Sequence, residues 1–186
     1  MADYMEDNLD MPLGQVLPII QQGIMDQSTY FGIRTQKSPA DAWIYQEIVY
    51  ATKPDVIVEI GNKNGGSTLM LAHQCDLMGK GRVIGVDISH QTVPETVKKH
   101  PRITLIESDA CQALPAVERL IASGERVLVI EDSEHTYANT LNVLRLYSKF
   151  VQLGDYFIVE DSICHHGLAH GPQPGLTEKS IGAKET

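Results

Sequence analysis

One feature constrains this chain more than any other: short, unbroken apolar segments recur along it at regular intervals. They are Val56-Ile57-Val58-Glu59-Ile60, Arg82 to Asp87, Ile103 to Glu107, Val127 to Ile130 and Tyr156 to Val159. β-Branched residues dominate them, which favours strand. Between them, Ser67 to Leu77, Cys111 to Ser123 and Tyr137 to Val151 read as helices, and Gln91 to His100 as a short polar helix or loop. Strands that are apolar at successive positions are covered on both faces. The alternation therefore predicts a parallel sheet with helices on each side. Right-handed crossovers make it a doubly wound, Rossmann-like α/β domain.

A further helix is expected to begin at Pro39, with Ser38 as N-cap and Asp41 in its first turn. Trp43, Ile44, Ile48 and Val49 would form its apolar face, and Lys53-Pro54 would end it. Upstream, Leu13 to Ile24 could make one short helix interrupted by Pro18. Tyr30, Tyr45, Tyr50 and Trp43 read as core or helix packing. Downstream, Ser162 to Gly175 reads as a loop holding His165, His166 and His170, near the site with substrate contact as a minority reading. The organisation expected is an N-terminal segment over 1–38, one domain over 39–175 and a disordered tail over 176–186.

Composition narrows the function. The 186 residues include 24 acidic and 15 basic side chains, a formal charge of −9. Proteins that grip a phosphate backbone need a basic surface, so no nucleic-acid partner is expected. Cys75, Cys111 and Cys164 make an odd set without CxxC spacing, and they read as reduced, buried small residues. No apolar run approaches the roughly 20 residues of a membrane span. The acidic start (MADYMEDNLD) is unlike a signal peptide. A cytoplasmic protein without a membrane partner is the expectation.

Ligands of an open parallel sheet bind beyond the carboxyl ends of its strands. There the first strand delivers Glu59, Gly61, Asn64, Gly65, Gly66 and Ser67. This glycine-rich turn allows close approach of a ligand to the backbone, and the next helix points amides at it. It is neither GxGxxG nor a P-loop. Asp87, after the second strand, is a candidate partner of ribose hydroxyls, and Asp109-Ala110 would flank an adenine. Asp132 follows the fourth strand, and Glu160-Asp161 follow the fifth. With those strands about 4.8 Å apart, three carboxylates would converge and suit Mg²⁺. His135, three residues after Asp132, could take a proton from a metal-polarised hydroxyl. A plain strand-to-helix turn, and acids that merely cap helices, are the competing structural readings.

These residues, with several others, carry a resemblance. Tyr30-Phe31-Gly32-Ile33-Arg34, Lys37-Ser38-Pro39 with Asp41, and Tyr45-Gln46-Glu47-Ile48 belong to it. So do Val58-Glu59-Ile60-Gly61 with Gly65-Gly66-Ser67, Gly85-Val86-Asp87, Asp132-Ser133-Glu134-His135-Thr136 and Val159-Glu160-Asp161-Ser162. Over roughly residues 28–175 the chain resembles the O-methyltransferases long labelled cephalosporin hydroxylases, together with rhamnosyl and macrolide-sugar O-methyltransferases. The resemblance implies a class I methyltransferase fold that binds S-adenosylmethionine and Mg²⁺. It implies metal ligands at Asp132, Glu160 and Asp161, a general base at His135, and a cofactor lining of Glu59, Gly61, Ser67, Asp87, Asp109 and Ala110. Asn64 joins that lining from its place in the turn. The implied acceptor is a hydroxyl of a small molecule or sugar, of natural-product, antibiotic or glycan type. The family's homo-oligomers pack their N-terminal segments between subunits, which would give residues 1–38 a contact role.

In one respect the sequence departs from the family. The stretch after Asp161 is short and polar, so the family's C-terminal helix and antiparallel strand pair are expected to be missing or shortened. A non-catalytic S-adenosylmethionine-binding partner subunit, or a truncated inactive homologue, is the alternative expectation. A sugar-nucleotide dehydrogenase using NAD is a third, favoured by Asp87 and opposed by the absence of GxGxxG.

Overall fold

The computed structural model describes residues 10–12, 15, 16 and 27–161. The Leu13–Ile24 helix apart from Gln15 and Val16, which are helical, the loop from Ser162 with its histidines and Cys164, the 176–186 tail and the expected loss of a C-terminal hairpin lie outside the described residues.

The described chain opens with a two-residue hairpin, β1 (Thr29–Tyr30) and β2 (Ile33–Arg34). Helix α1 (Pro39–Thr52) follows, then β3 (Val56–Ile60), α2 (Gly66–Met78), β4 (Arg82–Asp87) and α3 (Glu95–Lys98). The remainder is β5 (Ile103–Glu107), α4 (Ala110–Leu120), β6 (Val127–Glu131), α5 (Tyr137–Tyr147), a 3₁₀ turn (Ser148–Phe150) and β7 (Phe157–Val159). The strands β5-β4-β3-β6-β7 form one sheet in that order, every pair parallel. This is the doubly wound arrangement of class I methyltransferases.

Alternate residues of the strands feed two cores. Val56, Val58 and Ile60 of β3 face Ala113, Val117, Val143 and Tyr147 of α4 and α5. Ile57 of β3, Val83 and Leu128 face Tyr45, Val49, Leu69 and Leu71 of α1 and α2. Fully burying such a side chain stabilises the fold by about 1.5–3 kcal/mol. Tyr147 is wholly buried, and its hydroxyl donates to the Ala110 carbonyl at 2.6 Å.

Helix α1 begins and ends as the sequence predicts. Ser38 accepts from Asp41 N–H, and Lys53 closes the helix in the left-handed region. Its buried face matches the expected one only in part: Val49 is buried, Ile48 packs against the core and Tyr45 is buried as a packing residue. Tyr45, Val49 and Thr52 are buried, whereas Trp43, Ile44 and Tyr50 are exposed. An apolar count alone did not fix the face, because this helix is apolar nearly all round. Of the cysteines, Cys75 is buried and Cys111 half-buried, both as free thiols.

Candidate active site

The carboxyl ends of the strands open onto a cavity of about 550 Å³. Its bed is the turn after β3. Gly61 has φ +88°, and a Cβ there would lie 2.0 Å from the Asp132 carbonyl oxygen. No other residue fits such an approach. Gly61 N–H donates to Val86 O, and Asp132 N–H to Ile60 O, each at 2.8 Å. The turns after β3 and β6 are thereby riveted together where the strand order reverses, the point at which doubly wound sheets receive ligands.

On the β4 side the cavity wall is largely main chain. Asn64 and Ser67 line it, and α2 starts behind them with no side-chain cap, so its first amides remain available. Asp87 lines it too, with its carboxylate accepting Lys63 N–H at 2.7 Å and Ser89 N–H at 3.2 Å. Ala110, the first residue of α4, completes this wall.

Two expected lining residues lie elsewhere. Glu59 is fully buried beneath the bed, where Thr68 Oγ1 donates to Oε2 at 2.5 Å. Burial raises its pKa, with hydroxyl donors from Ser67 and Thr68 opposing. Asp109 caps α4, accepting Cys111 N–H at 2.9 Å and Gln112 N–H at 3.2 Å. The sequence reading also passed over Asn62. It lines the cavity, is almost fully buried over Gly85, and meets His90 Nε2 at 3.0 Å.

On the β6 side the wall is charged. Glu131 is buried and holds the following turn, accepting Ser133 N–H at 3.2 Å and Thr140 Oγ1 at 3.2 Å. That turn carries Asp132 and His135. His135 Nε2 lies 3.3 Å from Asp161 Oδ2 and 3.8 Å from Asp132 Oδ1. One ligand atom from each of these three residues falls within 4.8 Å of the others. His135 lies just ahead of α5 and not on it. It precedes the cap Thr136 in a left-handed conformation, φ +57°, and Asp161 shares that region at +52°. Such backbone in non-glycine residues costs free energy and clusters at functional sites.

Glu160 is not part of that three-residue group and instead shares an ammonium with Asp132. Lys37 Nζ donates to Glu160 Oε1 at 2.7 Å and to Asp132 Oδ2 at 2.5 Å, and Tyr45 hydroxyl also donates to Glu160 Oε1. Lys37 is only 6% exposed. Burial favours its neutral form, but Asp132 and Glu160 outweigh burial and raise its pKa, so it stays an ammonium. Burial pushes the Asp132 carboxyl up to about 7, with Lys37 pulling the other way. Neither Lys37 nor Tyr45 was foreseen as a site residue. Their only signal was membership of the runs Lys37-Ser38-Pro39 and Tyr45-Gln46 that carry the resemblance.

The donor set fits a divalent cation. Asp132 and Asp161 offer hard oxygens on the cavity wall, and a half-buried acid cluster is stabilised by positive charge. The glycine bed fits a ligand that presses close to the backbone.

The family profile named Rhamnosyl O-methyltransferase/CmcI matches residues 22–178. The rhamnosyl O-methyltransferase of Mycobacterium tuberculosis (strain H37Rv) is 31% identical over 160 residues, which is 83% of this chain and 65% of that protein. The rhamnosyl O-methyltransferase of Mycobacterium leprae is 32% identical over 145 residues, 75% of this chain and 62% of that protein. The chain thus spans about two thirds of the length of these relatives. A solved CmcI structure with Mg and SAM is 28% identical, with a TM-score of 0.63 over 77% of this chain and 62% of that one. MycE methyltransferase from the mycinamycin biosynthetic pathway, solved with Mg, SAH and mycinamycin VI, is 21% identical and shares the fold at a TM-score of 0.54, over 78% of this chain and 39% of its own.

Proposed function

The chain belongs to the rhamnosyl O-methyltransferase/CmcI family, and we propose that it transfers a methyl group from S-adenosylmethionine to a hydroxyl of a small molecule or sugar, assisted by Mg²⁺. The observation that carries this reading is the convergence of Asp132, Asp161 and His135 within 4.8 Å on the wall of the glycine-bedded cavity. The solved relatives with Mg and SAM or SAH support it from outside.

In this reading the turn from Gly61 to Ser67 and the side chains of Asp87 and Ala110 hold the donor. Asp132 and Asp161 would hold the cation, with Glu160, which shares the Lys37 ammonium with Asp132, as the third candidate ligand. When bound, S-adenosylmethionine supplies an activated methyl group and Mg²⁺ supplies Lewis acidity toward the acceptor hydroxyl. His135 Nε2 takes the hydroxyl proton as the oxygen attacks. The left-handed backbone at His135 aims its ring before the acceptor arrives, so little freedom is lost at the reactive step. Thr35 and Gln36, just before Lys37 in the chain, also line the cavity.

Methyl transfer from labelled donor onto a panel of vicinal diols and sugars tests this, with and without chelator. Chelator-sensitive transfer, with S-adenosylhomocysteine bound and NAD ignored in calorimetry, is the expected result. Donor binding without any transfer would leave a silent binder in place of an enzyme. Binding of neither would overturn the reading.

A further inference from the structure

At the opposite edge of the sheet, three metal-ligating side chains meet that methyl transfer does not use. His73 and Asp76 lie three residues apart near the end of α2, on one helical face. His100 comes from the turn before β5. One ligand atom from each falls within 4.8 Å of the others. His100 Nε2 is 3.1 Å from Asp76 Oδ2, and the rings of His73 and His100 are 5.5 Å apart between centroids.

The neighbours are arranged as supports for these ligands. Tyr30 hydroxyl lies 3.1 Å from His73 Nδ1. A hydroxyl can accept as well as donate, so it can hold the Nδ1–H tautomer and leave Nε2 free as a ligand. Arg102 Nε donates to Asp76 Oδ1 at 2.5 Å, and Arg102 Nη1 to Gly81 O at 2.7 Å. That clamp fixes the carboxylate and leaves Oδ2 facing the imidazoles. Asp76 is 43% exposed, which opens a path from solvent, whereas His100 is 12% exposed.

We infer that His73, Asp76 and His100 form a second metal site, for a transition-metal ion of the Zn²⁺ class. Neutral imidazoles suit such ions and not Mg²⁺. Arg102 already cancels the charge of Asp76, which removes the long-range pull a hard cation needs. The arrangement thus separates two metals by chemistry: oxygen donors at the carboxyl edge, nitrogen donors at the amino edge. Occupation breaks two contacts: the 3.1 Å approach of His100 Nε2 to Asp76 Oδ2, whose atoms become ligands, and the 3.3 Å approach of Arg102 N–H to His100 Nδ1, because Nδ1 must then carry the proton. The second contact is long, and one hydrogen bond is worth about 0.5–1.5 kcal/mol. The ion would brace α2, the β1–β2 hairpin through Tyr30, and the start of β5. None of this depends on methyl transfer.

The test uses the full chain, stripped of metal, carrying Asp132→Asn, Asp161→Asn, His165→Gln, His166→Gln and His170→Gln, so that the other candidate ligands are silent. Calorimetry with Zn²⁺ should show a single saturable equivalent that excess Mg²⁺ does not displace. Adding His73→Gln or His100→Gln should abolish it. Absence of saturable Zn²⁺ binding in the starting variant overturns the inference, as does undiminished binding after His100→Gln. Should a variant fail to fold, the unsubstituted chain decides, with its histidines labelled for nitrogen NMR. Ring nitrogens of His73 and His100 shifting together on Zn²⁺ addition support the site. Unmoved signals from both overturn it.

Discussion

The carboxyl edge of the sheet has two halves that meet at β3, and they are built from different materials. Toward β4 and β5 the chain offers main chain: a turn that only Gly61 can make, the uncapped start of α2, and Asp87 held by backbone amides. Toward β6 and β7 it offers charge: Asp132, Glu160 and Asp161, with Lys37 reaching in from before α1. The first half is fixed by sterics and stands complete without a ligand. The second is a balance, in which like charges must be offset by Lys37 or by a cation. The two halves should therefore fail in different ways.

Removing His135, the proposed proton acceptor, should have the largest effect. His135→Ala is expected to lower kcat by roughly 10²–10⁴-fold with S-adenosylhomocysteine affinity unchanged. A rate equal to wild type would detach the charged half from the chemistry. Next comes the rivet between the halves. Gly61→Ala should cost about 3–5 kcal/mol in urea unfolding, since both the close approach and the positive φ are lost. An unchanged midpoint would mean that the turn has slack. Lys37→Met leaves Asp132 and Glu160 without their ammonium, and should destabilise the metal-free chain by about 3 kcal/mol. Mg²⁺ should then raise the variant's Tm more than that of wild type; equal rises would show that Lys37 does not balance the cluster. The smallest effect belongs to the main-chain half. Asp109→Ala should cost about 1 kcal/mol as a lost helix cap and leave donor affinity alone. A tenfold weaker S-adenosylhomocysteine would return Asp109 to the cofactor bed.

The sequence carries the main-chain half more openly than the charged one. Unbroken apolar runs mark β3 to β6 within a residue or so; in β3, β4 and β6 burial on both faces leaves no room for polar alternation, whereas the edge strand β5 is only partly buried. The acids at strand ends follow from the same reading. What it cannot carry is pairing over distance. Lys37 and Asp132 stand 95 residues apart, and nothing local distinguishes Lys37 from a solvated lysine. Tyr45 is buried, as a packing residue should be, but its hydroxyl donates to Glu160, a residue 115 positions away, and no local pattern carries that pairing. Asp109 shows the reverse problem. A cap and a ligand-binding acid look alike until the helix start is known to the residue.

The seam between Gly61 and the Asp132 carbonyl leaves no play between the two berths. A guest that settles on one leans on the strip of backbone that aims the other. Ion and donor would then sense each other's arrival without touching, and by reciprocity each would alter the other's hold by an equal factor.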